Sequence, residues 1–120
     1  ERPVPTLVLA GGADPLCPVA GGEIRSPWDG RRIPRPPLAQ TLRRWAAALG
    51  LPPEPAQECD EHGAHTLAYG PGLTARIVPG LGHHWPGGLG QFNPRMAGPP
   101  SDLLNANDVI WEFFKRHSLP

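Results

Sequence analysis

The chain has 120 residues, 39% of them hydrophobic and 18% charged, which suits one soluble domain with a modest core. Eleven basic and eleven acidic side chains cancel, so there is no electrostatic footprint for nucleic acid or an anionic membrane. No apolar run approaches the roughly 20 residues that a bilayer-spanning helix requires. Opening directly onto a strand at Glu1-Arg2-Pro3, where no signal peptide is expected, the sequence reads as a piece of something longer. Its fifteen glycines and eighteen prolines cluster between periodic segments, and four tryptophans with three phenylalanines argue for packing, so long ordered loops are expected. Cys17 and Cys59 could form one bridge or stay two small unpaired hydrophobes, and the redox compartment stays open with them.

In chain order, Val4 to Ala10 is apolar on both faces and predicts a buried, parallel-type strand ending in Gly11-Gly12-Ala13-Asp14-Pro15. Residues 15 to 36 are proline-rich without periodicity and predict one long loop. Pro37 to Leu49 predicts a helix whose Leu38, Leu42, Trp45, Ala46 and Leu49 share a stripe, with Gly50 and Pro52-Pro53 ending it. A polar stretch, Glu54 to Gly63, follows. His65 to Tyr69 and Leu73 to Val78 predict a hairpin around Gly70-Pro71-Gly72. Residues 86 to 100 predict a second glycine- and proline-rich loop. The last helix is expected from about Asn105, which can cap it, with Ala106, Val109, Ile110, Phe113 and Phe114 as its apolar stripe. Strand, loop, helix, hairpin, loop and helix together suggest the edge half of a three-layer α/β sheet.

Two strand ends carry residues suited to catalysis. Asp14 follows two glycines at the end of the first strand, where ligands bind in open α/β sheets. Its plainer alternative is a turn aspartate bonding its own backbone before Pro15. His83 follows the later strand in Gly80-Leu81-Gly82-His83-His84-Trp85-Pro86-Gly87-Gly88. There a neutral imidazole can take a proton from a nucleophile while Asp14 fixes its tautomer. A lone histidine is more often a surface or core residue, and His84 competes for the same role. Trp85 could wall an acyl or aryl pocket, or be plain core.

The segment Gly82-His83-His84-Trp85-Pro86-Gly87-Gly88 resembles the Gly-His-Thr-Trp-Pro-Gly segment of the polyhydroxybutyrate depolymerase and feruloyl esterase family of α/β-hydrolases. Gly11-Gly12-Ala13-Asp14-Pro15, with Pro18 and Gly21-Gly22 behind it, is similar to that family's strand-end acid and following loop. Leu42 to Leu49 resembles the next helix, and Asp108 to Phe114 the closing one. The likeness runs along nearly the whole chain.

This resemblance implies the C-terminal portion of one α/β-hydrolase domain spanning residues 1–120, with Asp14 as triad acid, His83 as general base, and His84 and Trp85 beside the substrate. His84 stands where the family usually has threonine. The nucleophilic serine and the oxyanion hole would lie upstream of Glu1. Ser26, Ser101 and Ser118 lack Gly-x-Ser-x-Gly surroundings and are not substitutes, so the chain alone is expected to be inert. An ester substrate follows from the resemblance, as does a secreted or periplasmic location; no metal or organic cofactor is implied. The missing N-terminal part of the hydrolase, or a second copy, is expected to cover the exposed strand.

Two other classes compete. Cys59, His62 and His65, completed by His83-His84, could hold zinc, although no second paired-ligand motif supports it. A non-catalytic polymer-binding module could use Trp28 and Trp85 as stacking platforms. A glycine-rich phosphate loop is absent.

Overall fold

The computed structural model describes residues 3–88 and 92–117. In chain order it holds β1 (Thr6–Gly11), β2 (Gly22–Arg25), β3 (Arg32–Arg35), α1 (Leu38–Ala48), β4 (Gln57–Glu61), β5 (Ala64–Gly70), β6 (Leu73–Val78), α2 (Pro94–Ala97) and α3 (Ala106–Lys115). This is a mixed α/β protein. Its four-stranded sheet runs β1-β6-β5-β4, with β1 parallel to β6 and the other neighbours antiparallel. The strands β2 and β3 form a separate antiparallel pair.

Successive residues of β6 point to opposite faces of the sheet. Leu73 and Ala75 meet Leu42 and Ala46 of α1, together with Tyr69. Val78 points the other way and joins Ala64, Leu81 and Leu104, with Val109 of α3 against them. Leu42, Leu73, Val78 and Leu81 are the largest fully buried side chains, each worth about 1.5–3 kcal/mol of burial. At the start of α3, Asn105 Oδ1 accepts from the Asp108 amide at 3.2 Å, and Asp108 and Lys115 suit the two helix ends.

Several elements depart from expectation. The first strand is parallel but lies at a sheet edge, and only Gly11 of it is fully buried. Residues 15 to 36 are not one loop, because β2 and β3 pair there and set Ile24 opposite Ile33. Pro34 disguises the second of these strands, yet a two-stranded ribbon leaves an outer edge where a proline costs no hydrogen bond. The polar stretch before Gly63 contains β4, exposed at every residue, so cross-strand pairing rather than burial defines it. Only Pro71 and Gly72 separate β5 from β6, and the register shifts between Ala68 and Gly70. In the expected loop over 86 to 100, Asn93 Oδ1 caps α2 by accepting from the Arg95 amide at 3.0 Å; residues 89–91 lie outside the described residues.

Candidate active site

Because β1 and β6 are parallel, with Gly11 opposite Val78, both chains leave the sheet at the same edge. Past that edge the two segments remain bonded. The Gly12 amide donates to the Val78 carbonyl at 2.8 Å, and the Ala13 amide to the Leu81 carbonyl at 2.9 Å. So close an approach needs glycine, since a methyl group at Gly11 would overlap the carbonyl oxygens of Leu81 and Gly82. The histidine loop is fixed on its other side by the chain around α2. Gly82 and His83 donate their amides to the Pro99 and Ala97 carbonyls at 2.7 and 2.6 Å.

These constraints deliver Asp14 and His83 to each other. Asp14 Oδ1 accepts from the backbone amides of Leu16 and Cys17 at 2.8 and 2.9 Å. Its Oδ2 accepts from His83 Nδ1 at 2.9 Å. The aspartate is 9% exposed whereas the His83 side chain is 46% exposed. An ionised carboxylate only accepts, so its bond assigns the proton to Nδ1 and leaves Nε2 of a neutral His83 with the lone pair. One carboxylate oxygen of Asp14 therefore makes the turn contacts, while the other meets His83.

The neighbouring histidine is used differently. His84 Nε2 donates to the Gly98 carbonyl at 2.7 Å, while its buried Nδ1 has no partner. Of the two histidines, His83 is the one hydrogen-bonded to Asp14. Trp85 is exposed and, with Asp14, His83 and His84, lines an open pocket of about 540 Å³ that runs along β1.

Phe92 and Cys17 are among the pocket residues that the sequence did not mark as site members. Phe92 sets its ring centroid 6.3 Å from that of His83 and 6.1 Å from that of His84. It belongs to an aperiodic loop, and no local pattern marks it. Cys17 lines the pocket as well, three residues after Asp14. The Asp-x-x-Cys spacing on a proline-bounded turn is the signal that could have found it. Cys17 and Cys59 are both free and exposed.

The zinc set proposed around Cys59 is not assembled. Cys59 pairs with Thr66 and Asp60 with His65, so Cys59 and His65 point to opposite faces of the β4–β5 ribbon. His65 Nδ1 is instead 2.8 Å from Asp60 Oδ1, and His83 and His84 belong to the Asp14 site. Trp28 sits 88% exposed in the turn between β2 and β3. Ser26 and Ser101 each accept a backbone amide in a local turn, from Trp28 and Leu103 respectively, and Ser118 lies outside the described residues.

With this geometry in place, comparison with known proteins gives one informative relative. A protein of Nocardia uniformis subsp. tsuyamanensis described as "Putative esterase NocK" is 28% identical over 127 aligned positions, which take in 92% of this chain. The chain spans 37% of that protein's length. No family model matches, and no solved structure matches. The likeness is distant, and it is to a protein so described.

Proposed function

We propose that this chain is the acid- and base-bearing portion of a carboxylic-ester hydrolase with an α/β-hydrolase fold, of the polyhydroxybutyrate depolymerase or feruloyl esterase kind. One observation carries the reading. Asp14 and His83 come from two parallel strand ends and meet at 2.9 Å, with the second carboxylate oxygen held by two amides. That is the orienting half of a serine-hydrolase triad, and such a carboxylate fixes the tautomer and steadies the imidazolium that forms.

In the whole enzyme a serine from another segment attacks the ester carbonyl. His83 Nε2 takes the serine proton and returns it to the departing alcohol, while backbone amides outside this chain hold the oxyanion. Water then hydrolyses the acyl-enzyme through the same base. The free edge of β1 and the pocket alongside it are where the remainder of the hydrolase, or a second copy, would dock. The reading carries with it a secreted or periplasmic location.

Hydrolysis of short-chain nitrophenyl esters by the whole protein tests this. His83→Ala is expected to lower kcat by about a thousandfold or more with the circular dichroism spectrum unchanged. Full activity in that variant would end the hydrolase reading. Retention on a polyester with no turnover would favour the polymer-binding alternative, for which the exposure of Trp28 and Trp85 is the supporting observation.

A further inference from the structure

Cys17 has no part in the ester chemistry, yet it stands inside the same cluster. Its Sγ, a ring nitrogen of His83 and a carboxylate oxygen of Asp14 all lie within 4.8 Å of one another. We propose that Asp14, Cys17 and His83 form a binding site for a thiophilic divalent cation, Zn2+ above all, which acts on the site as a regulatory ion and not as a group the reaction uses.

The chemistry of the donors argues for this choice. One thiolate, one imidazole and one carboxylate suit zinc far better than magnesium or calcium, which prefer all-oxygen surroundings. In a tetrahedral site with bonds of about 2.0–2.3 Å, neighbouring ligand atoms stand roughly 3.3–3.8 Å apart. Closing the present cluster to that size takes side-chain movements of about 1 Å. Cys17 and His83 are exposed and can supply them by rotating. Asp14 need not move, because the Leu16 and Cys17 amides already pin one of its oxygens. The fixed carboxylate is thus the anchor, and the two mobile ligands close on it.

The fourth coordination position faces the pocket and takes water. Cys17 binds as the thiolate and gives up its proton on binding. The ion would take either the nitrogen or the carboxylate partner that His83 needs as a base. This inhibitory consequence rests on the proposed ester hydrolysis; binding itself does not.

The test is therefore a binding measurement on this chain, using Cd2+ for its sulfur-to-metal charge-transfer absorbance and Zn2+ by calorimetry. One equivalent is expected to bind with a charge-transfer band. Cys17→Ser and His83→Gln should each weaken binding by about tenfold or more, with Cys59→Ser and His65→Gln without effect. Absence of the band, binding that survives Cys17→Ser, or binding lost in Cys59→Ser would overturn the site. Circular dichroism of each variant separates a lost ligand from a lost fold. If the ion binds as expected while His83→Ala leaves ester hydrolysis by the whole protein intact, the cation site stands and the hydrolase reading falls. The reverse pair of results removes the cation site alone.

Discussion

The Cα of Gly82 stands against the carbonyl oxygen of Ala97, with no room for a methyl group between them. The obstacle is backbone on both sides, since Gly98 lies immediately behind, so no flexible side chain can swing away to relieve it. Gly82→Ala should therefore push the histidine loop off the chain around α2. A loss of about 1–3 kcal/mol is expected from chemical denaturation. The imidazole resonances of His83 should shift with it, because the His83 amide is bonded to the same Ala97 carbonyl.

The two oxygens of Asp14 do different work, and two substitutions separate them. Asp14→Asn keeps an oxygen for the Leu16 and Cys17 amides, but its amide group can no longer hold His83 in the required tautomer. Near-normal stability is expected, with ester hydrolysis by the whole protein falling by about ten-thousandfold. Asp14→Ala leaves both amides of the turn without their acceptor and should additionally cost about 1–3 kcal/mol. Equal stability of the two variants would show that the turn does not depend on the carboxylate.

Tyr69 is 4% exposed, packed with Leu42 and Leu73, and is the chain's single tyrosine. Burial pushes its phenol above the ordinary value of 10.0; Glu54 adds to the rise and Arg43 opposes it. A group whose folded value is raised binds its proton more tightly when folded. Its contribution to stability is whole below about pH 10 and is lost as pH climbs through the raised folded value. Unfolding free energy should thus decline above about pH 10, and Tyr69→Phe should remove that part of the decline. Phenolate absorbance, reporting this one residue, should appear at lower pH once denaturant is added.

What could be seen in the letters divides along physical lines. The helix α1 and the strands β5 and β6 were visible because burial on one side imposes a period, as with Leu42 and Ala46 or Leu73 and Ala75. The cap of α3 was visible because an asparagine before an apolar stripe has a local job to do. By contrast β4 has no apolar residue that needs hiding, and β3 contains a proline, so only their partners make them strands. Asp14 and His83 stood out by their places at strand ends. Cys17 and Phe92 did not, because their membership of the site comes from a turn and from a loop folding back, neither of which leaves a periodic trace.

The parallel pairing of β1 with β6 also bears on how the molecule forms. Thr6 pairs with Leu73 and Gly11 with Val78, so the β2–β3 pair, α1 and the β4–β5 ribbon all lie within the loop that this contact closes. Asp14 and His83 are 69 positions apart along the chain. The β4–β5–β6 meander can zip through neighbouring residues, but joining β1 to it bears the entropy of a long closure and raises the contact order. During synthesis the carboxylate must wait, already made, until its imidazole has been added and brought back to it.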